Sequence, residues 1–296
     1  MRDINITTTD HPQQRTAYFI IAGIYVIAAA IALIVYQSLA YPFWLRLLVS
    51  DVLATIIVFV FSCIFRNASV YDPYWSIQPP VILTLYAVGT RLTLVRLLLV
   101  IAVWYWGIRL TANWASVFYG MHHQDWRYTM LKEKTGRLYP IVNFLGIHLF
   151  PTLVVYACIL PAVFAMQYEA RANAGTVIGF LICIGAATLQ LVADRQMSRF
   201  RRSKKGGLIN TSLWKYSRHP NYLGEILMWW GVAVSVVCVL PQYWYLCAGA
   251  LINTLMFLFV SIPMAENRQS AKAGYEQYRK RTRMLFPVRK PLLTKK

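Results

Sequence analysis

Long, nearly uncharged stretches alternate with short polar segments along the chain. A helix needs about 20 apolar residues to cross a bilayer. Stretches of that length cover residues 17–36, 47–65, 77–95, 97–118, 139–166 and 175–193. The uncharged stretch 226–265 is too long for one span and breaks at Pro241, so it predicts two more, while the third and fourth spans could also form one hairpin or one broken helix. The pattern predicts an all-α integral membrane protein, a bundle of seven or eight transmembrane helices.

The composition agrees with this class and limits the partners. Hydrophobic residues make up 58% of the chain and charged residues only 14%, whereas a soluble domain is about 25% charged. Lys and Arg total 30 against 11 Asp and Glu, a formal net charge of +19. In a membrane protein such an excess belongs to cytoplasmic loops, so membrane lipid is the expected partner of these loops and nucleic acid is not.

Two basic segments orient the bundle. The loop 195–218 carries Lys and Arg and no acid, and the tail after Glu266 is almost as one-sided. The positive-inside rule places both in the cytosol, with the loop 119–138 on the same side. Counting spans back from there puts the N-terminus in the cytosol as well. The tail is predicted to begin with a cytoplasmic amphipathic helix.

The cysteines give no indication of a metal site or of a disulfide framework. All five lie in apolar stretches and none forms a C-x-x-C pair. The expectation is a protein without a metal centre.

Several polar residues lie within or next to the predicted spans. Ionisable groups are costly there and are therefore candidates for function. Arg109 and Asn113 are four residues apart and share one helix face. Asp194 ends the sixth span, one turn after Gln190, and Asp72 precedes the third. Each could instead serve a structural ion pair or the membrane interface.

Asp51, inside the second span, has no supporting pattern around it. We interpret it as structural.

The richest polar segment is S-R-H-P-N-Y-L-G-E at 217–225, which joins the basic loop to the seventh span. Pro220 suits a first helical turn, and a helix N-terminus beneath Arg and Lys favours an anion. A loop that binds lipid headgroups would have the same composition. The side chains that could bind a ligand here are Arg218, His219, Asn221, Tyr222 and Glu225.

Further motifs accompany this segment. They are D-x-x-W-S at 72–76, R-L-x-x-N-W at 109–114, Q-D-W-R-Y at 124–128, E-N-R at 266–268 and G-Y-E-Q-Y-R-K-R-T at 274–282. The set resembles the steroid 5α-reductase-like membrane reductases, most closely their bacterial-type branch, over about residues 70–288. The R-H-P-x-Y-x-G core is also similar to that of isoprenylcysteine carboxyl methyltransferases and phospholipid methyltransferases.

The resemblance implies an NADPH-dependent reductase of an activated carbon–carbon double bond in a hydrophobic, lipid-like or steroid-like substrate. Together with the apolar pattern, it divides the chain into a polar cytosolic tail at 1–16, two transmembrane helices at 17–66 and a reductase-like catalytic domain at 67–296. Steroid-reducing members usually have small residues where this chain has 218–220, which argues against a steroid. The residues that would bind the cofactor, with Arg201 on a phosphate, are Gln190, Asp194, Arg201, Arg218, His219, Asn221, Tyr222, Glu225, Arg109 and Asn113.

Reduction of an enone puts negative charge on the carbonyl oxygen, which a neutral acid or a phenol must meet with a hydrogen bond. In steroid-reducing members of the family a Glu and a Tyr do this. The corresponding candidates here are Asp72 and Tyr105, with Trp106 an equally good match to the tyrosine position.

Two other functions remain open. An S-adenosylmethionine-dependent methyltransferase acting on a lipid or prenylated substrate would use the R-H-P-x-Y-x-G core together with Glu266. A lipid-binding protein without catalytic activity would account for the basic loops. Asp194 and Glu225 favour the reductase.

Overall fold

The computed structural model describes residues 11–203 and 206–286, and the regular elements of these residues are helices. The predictions that concern Lys204, Lys205 and the tail 287–296 lie outside the described residues. The helices are α1 (His11–Ser38), α2 (Phe43–Ile64), α3 (Tyr74–Val88), α4 (Leu94–Ala115), α5 (Trp126–Thr135), α6 (Tyr139–Val142), α7 (Phe150–Gln167), α8 (Ala174–Arg202), α9 (Leu213–Tyr216), α10 (Pro220–Val237), α11 (Ala248–Met256), α12 (Ile262–Ser270) and α13 (Tyr275–Arg281).

The described chain contains 6 helical stretches that are long and apolar enough to cross a membrane. Apolar side chains such as Phe19 and Val26 on α1 are 78% and 67% exposed, as expected of a surface that faces lipid. The protein is therefore a multi-pass membrane protein. The count of seven or eight spans and the cytosolic side of the loops and termini stay predictions. The six stretches are Pro12–Ser38, Phe43–Ile64, Leu94–Ala115, Trp126–Gln167, Ala174–Arg202 and Pro241–Ser270.

Some predicted boundaries are wrong. The third span was expected to run through 77–95, but α3 ends at Val88 and α4 begins at Leu94. The hydroxyl of Thr93 accepts from the amide of Arg96 at 3.5 Å, which helps to start a new helix inside the apolar run. The seventh predicted span was expected from residue 226, but its helix, α10, already begins at Pro220, because proline is well suited to a first turn. The break at Pro241 is confirmed.

A π-helical segment, Asn143–Leu149, separates α6 from α7 within the predicted fifth span. At the other end of the chain, the expected amphipathic helix corresponds to α13, which has only 7 residues. Glu266 lies on α12, at the end of the last apolar stretch.

The chain forms two compact units. Unit 1 comprises the chain up to Val81 together with Leu110–Tyr156, and unit 2 comprises Ile82–Arg109 and the chain from Ala157 onward. The predicted limits at residues 16 and 66 stay predictions.

The core of unit 1 is built around α1 and α2. One face of α1 buries small and branched side chains against α2 and the loop before α3, which is how two apolar helices pack closely. The residues of this core are Ala17, Ile21, Ile24, Ala28, Ala54, Val58, Val70, Tyr71, Tyr74 and Phe118.

A buried polar network surrounds Asp51 in the same unit. Its carboxylate accepts from the hydroxyl of Tyr74 at 2.9 Å and from the amide of Gln78 at 2.7 Å. Asp51 is 4% exposed, and no cation pairs with it within the described part of the chain. A buried carboxyl without a counterion is costly, and the two hydrogen bonds offset part of that cost.

We expect Asp51→Asn to change the free energy of unfolding by less than about 1 kcal/mol. The carbonyl oxygen of the asparagine would accept from Tyr74, and Gln78 can rotate its amide so that its oxygen accepts from the new NH2 group. Asp51→Leu leaves both donors buried without an acceptor and should cost about 1–3 kcal/mol for each. Unfolding in mixed detergent micelles measures both variants. Equal stability of the leucine variant and the wild type would show that the network does not stabilise the fold.

Unit 2 is organised by the contact of α8 with α10. A Cβ atom on Gly231 would lie 2.8 Å from the carbonyl oxygen of Gly179, and one on Gly179 would lie 2.6 Å from that of Gly231. Glycine at both positions lets the two backbones touch, as small residues do between membrane helices. This close approach sets the spacing of the polar side chains farther along the same two helices.

Candidate functional site

The most highly charged buried cluster of unit 2 is centred on Arg109. Its Nη1 atom lies 3.0 Å from the Asp194 carboxylate on α8, and its Nη2 atom lies 3.8 Å from the Glu225 carboxylate on α10. The side chains of the three residues are 3%, 14% and 8% exposed. One arginine therefore serves two buried acids, and the cluster carries a net negative charge if both acids are ionised.

Glu225 accepts hydrogen bonds on both carboxylate oxygens. Trp106 and Gln190 donate to Oε2 at 2.9 and 2.6 Å, and Trp229 donates to Oε1 at 2.9 Å. Gly224 makes this possible, because a Cβ atom there would lie 2.4 Å from the Cγ atom of Gln190. The G-E pair of the sequence motif thus gives Gln190 room to reach across to α10.

Some polar atoms of the cluster are left without a partner. Oε1 of Gln190 and two guanidinium nitrogens of Arg109, Nε and Nη2, have no hydrogen-bond partner among the described residues. Gln190 is 2% exposed and Arg109 5%. Orphaned buried donors and acceptors are rare in folded proteins. A bound group that carries both a donor and an acceptor would satisfy them.

A second polar cluster joins the R-H-P segment to α12. Nε and Nη2 of Arg218 each lie 2.7 Å from Oε1 of Glu266, and Nε2 of His219 lies 3.2 Å from the same oxygen. The rings of His219 and Tyr222 stack at 5.3 Å. The cluster thus binds the start of α10 to the last apolar stretch.

The same segment fastens the C-terminal part of unit 2. Nη1 of Arg218 donates to the carbonyl of Thr282 at 2.6 Å, and the backbone amides of Arg218 and His219 donate to the carbonyls of Arg283 and Met284. Tyr278 donates to the carbonyl of Trp214 at 2.6 Å. The two distant motifs therefore meet at the start of α10.

The remaining residues that were predicted to bind the cofactor lie outside these two clusters of ion pairs. Arg201 is exposed at the end of α8, close enough to Asp194 for its charge to act on that carboxylate. The backbone carbonyl of Asn221 accepts from Gln190 at 3.3 Å, and its side chain makes no hydrogen bond within the described chain. Asn113 belongs to unit 1 and lines a cavity there, whereas Arg109 belongs to unit 2.

That cavity in unit 1 has a volume of about 190 Å³. Its walls combine three aromatic rings and two aliphatic side chains with a larger number of polar groups, so the cavity suits a small organic ligand that has both an apolar and a polar part. The lining residues are Ser69, Asp72, Trp75, Ser76, Leu110, Asn113, Trp114, Val117, Phe118, His123, Asp125 and Arg127.

Asp72 is the acid of this cavity whose environment is most unusual. Burial raises the pKa of its carboxyl from 3.8 to about 6, although the charge of Arg127 and a hydrogen bond from Tyr128 act in the opposite direction. The hydroxyl of Tyr128 donates to Oδ1 of Asp72. A carboxyl with such a pKa exists partly in the neutral form near neutral pH and can then donate a hydrogen bond.

The Q-D-W-R-Y motif holds this arrangement in place. Asp125 caps α5 by accepting from the amide of Arg127 at 2.9 Å, and its own amide donates to the hydroxyl of Ser69 at 2.9 Å. Oε1 of Gln124 accepts from the amide of Ala68 at 3.1 Å. The start of α5 is thereby fixed to the loop that carries Asp72.

Tyr105, the tyrosine that the motif comparison favoured, lies on α4 in unit 2. Its hydroxyl lies 3.1 Å from that of Thr188. The phenol beside Asp72 is Tyr128, to which the sequence analysis gave no role. The signal was present in the Q-D-W-R-Y motif, but nothing in the sequence relates residue 128 to residue 72. A catalytic role for Tyr105 stays a prediction.

Comparisons with known proteins place this geometry in context. An uncharacterized protein of Schizosaccharomyces pombe, C594.04c, is 26% identical over 216 residues, which cover 64% of this chain and 62% of that protein. The matched region thus spans less than two thirds of this relative. No solved structure matches the chain.

A family model described as "Protein of unknown function (DUF1295)" matches residues 58–282. This family is related to steroid reductase-like enzymes. Because the model covers most of the chain, the protein belongs to the DUF1295 family, within the steroid 5α-reductase-like superfamily.

Proposed function

We propose that the protein is an NADPH-dependent membrane reductase of an activated carbon–carbon double bond in a hydrophobic, lipid-like substrate. The observation that carries the proposal is Asp72, a carboxyl with a pKa of about 6 on the wall of a cavity that it shares with the rings of Trp75, Trp114 and Phe118. In its neutral form it would donate a hydrogen bond to the substrate carbonyl as negative charge develops there.

The residues of the unit 2 cluster fit a nicotinamide cofactor. Such a cofactor carries an amide with both a donor and an acceptor, which matches the unpartnered Oε1 of Gln190 and the unpartnered nitrogens of Arg109. Asp194 and Glu225 would hold Arg109 in position, and the exposed Arg201 would meet a phosphate. When bound, NADPH supplies the hydride.

The residues of this chain would then perform three tasks. Asp72 would donate a hydrogen bond to the carbonyl oxygen and so draw electrons away from the double bond, and the carbon next to the carbonyl would take the proton that completes the reduction from water. Trp75, Trp114 and Phe118 would bind the apolar part of the substrate and reduce the access of water.

One observation favours a second function. Glu266 contacts both Arg218 and His219, and the S-adenosylmethionine-dependent methyltransferase hypothesis requires a glutamate beside the R-H-P segment. Under this alternative the second cluster of unit 2 would bind the methyl donor. The cavity around Asp72 has no evident task in that chemistry, so we rank the methyltransferase second.

Binding measurements on protein reconstituted in lipid nanodiscs distinguish the two functions. We expect NADPH to bind and S-adenosylmethionine not to, and we expect NADPH oxidation when cyclic enones of increasing apolarity are added. Binding of S-adenosylmethionine alone would replace the proposal by the methyltransferase.

We further expect Asn221→Ala to weaken NADPH binding about tenfold to a hundredfold, the effect of one hydrogen bond to a charged group. Its side chain makes no hydrogen bond within the described chain, so the yield of folded protein should not change. Titration of NADPH fluorescence measures the affinity, and Asn267→Ala on α12 is the matched control. Unchanged affinity would remove Asn221 from the cofactor site.

A further inference from the structure

We infer that Tyr128 is a positioning residue for Asp72: by donating its hydroxyl proton to Oδ1, it leaves Oδ2 as the atom that holds the carboxyl proton. This inference rests on the proposed function, in which neutral Asp72 donates to a carbonyl. It adds a second residue to the task and assigns the phenol to α5, whereas the motif comparison assigned it to Tyr105.

The number of protons that the pair shares determines which oxygen of Asp72 carries one. A phenol has one proton, and the Tyr128 hydroxyl directs it to Oδ1 of Asp72. A neutral carboxyl carries one proton, on one of its two oxygens. With Oδ1 accepting from Tyr128, the proton belongs on Oδ2. The carboxyl then has a fixed donor and cannot exchange its two oxygens without breaking the hydrogen bond.

The surroundings keep Tyr128 in place. The residue is 8% exposed, and its ring packs with Ala68 and Ile147, with Leu131 and Tyr139 at the edge of the cluster. Its backbone lies in the first turn of α5, which Asp125 caps. A packed ring on a capped helix loses little entropy when it binds Asp72, so the pair is preorganised.

Other ionisable groups also act on Asp72. Arg127 and Asp125 lie close enough to shift its titration in opposite directions, and His123 lines the same cavity. Tyr25 of α1 and Tyr71, in the loop before α3, also lie close enough for the charge of Asp72 to act on their hydroxyls. The hydroxyls of Tyr25 and Tyr71 bond elsewhere, to the Val70 carbonyl and to Thr152. Ser69 also hydrogen-bonds to Asp72, and Tyr128→Phe leaves that contact and the neighbouring charges in place.

Infrared spectroscopy tests the inference without any ligand. The carbonyl band of protonated Asp72 is followed against pH in the reconstituted full-length protein and assigned by its loss in Asp72→Asn. In Tyr128→Phe we expect the band to move to higher frequency, because Oδ1 has lost its donor. We also expect the midpoint of the Asp72 titration to rise by about one pH unit or more, because the carboxylate has lost a stabilising hydrogen bond.

Two matched variants serve as controls. Tyr139→Phe removes a hydroxyl from the same packed cluster, and Tyr105→Phe removes the phenol that the motif comparison favoured. Both should leave the band and the midpoint of Asp72 unchanged. The inference is overturned if Tyr128→Phe has no effect on either quantity, or if Tyr105→Phe has the effect expected of Tyr128→Phe.

The Tyr128–Asp72 pair and the proposed reductase activity are tested by different outcomes. If the infrared signature of the pair is as expected but wild-type protein neither binds NADPH nor reduces an enone, the pair exists and the proposed reductase is wrong. If wild-type protein reduces enones, Tyr128→Phe should lower kcat about tenfold with little change in KM, since the carboxyl is no longer held in one orientation. Unchanged kcat in that variant would overturn the positioning role alone.

Discussion

Replacing Asp72 with alanine is expected to lower turnover about a hundredfold to a thousandfold while NADPH still binds. The physical reason is the loss of the one donor that meets the developing charge on the carbonyl oxygen, which typically costs about 2.7–4 kcal/mol of transition-state stabilisation. Asp72→Asn keeps a donor without its acidity, so its turnover should lie between those of alanine and wild type. Steady-state kinetics with a cyclic enone and NADPH titration on the same samples measure both quantities.

Asp51→Asn is the matched control for this experiment. It removes a buried carboxyl from the same unit, but Asp51 does not line the cavity. Its turnover should stay close to that of the wild type. Asp72 has only a structural role if Asp72→Ala lowers the yield of folded protein or its NADPH binding, while the folded fraction turns over as fast as the wild type.

The pKa of Asp72 gives turnover a characteristic pH dependence. The donor is the neutral form, and the pKa of about 6 means that this form is lost as the pH rises. Turnover should therefore be highest below pH 6 and fall about tenfold per unit well above it. Asp72→Asn cannot titrate and should remove this decline. The stability of the fold depends on pH in the same direction. Because the pKa of Asp72 is higher in the folded protein, its contribution to the free energy of unfolding is complete below the ordinary pKa of 3.8 and is lost as the pH rises through 6.

The sequence predicts the membrane class and several helix limits because both depend on local apolarity. The length of an uncharged run shows that a helix can span, and Pro241 shows where one must end. The limits that were wrong are those set by single side chains. Thr93 begins a helix inside an apolar run, and apolarity alone cannot reveal this.

For the polar residues, too, the sequence shows which side chains are unusual but not which distant side chains they contact. Arg109, Asp194 and Glu225 each attract attention in the sequence because charges are costly in a membrane. That one arginine serves both acids is a property of the packing of three helices and is invisible to spacing. Asp51 seemed isolated because its donors, Tyr74 and Gln78, are more than twenty residues away along the chain. Tyr128 lacked a role for the same reason.

The expected loss of stability is largest at Arg109. Arg109→Met leaves the side chains of Asp194 and Glu225, 14% and 8% exposed, without their cation. Removing one partner of a buried ion pair costs about 3–5 kcal/mol, since the remaining charge stays desolvated. Unfolding in mixed detergent micelles measures this loss in free energy. A variant as stable as the wild type would mean that the ion pairs of Arg109 do not stabilise the fold.

A second substitution separates the charge effect from lost packing. Asp194→Asn added to Arg109→Met removes one of the unpaired acids and should restore much of the stability, a coupling expected only between residues in contact. Arg96→Met is the matched control, because Arg96 is equally buried on α4 but donates to backbone carbonyls, including that of Ala165 at 3.1 Å. Asp194→Asn should not rescue that variant.

The double variant also tests the cofactor assignment. Once stability is restored, Arg109→Met/Asp194→Asn should still bind NADPH much more weakly than the wild type, because both residues are proposed to contact or orient the cofactor. If the double variant folds and binds NADPH normally, the Arg109 cluster is a structural tie between α4, α8 and α10. The unpartnered Oε1 of Gln190 would then be the remaining indication of a ligand in unit 2.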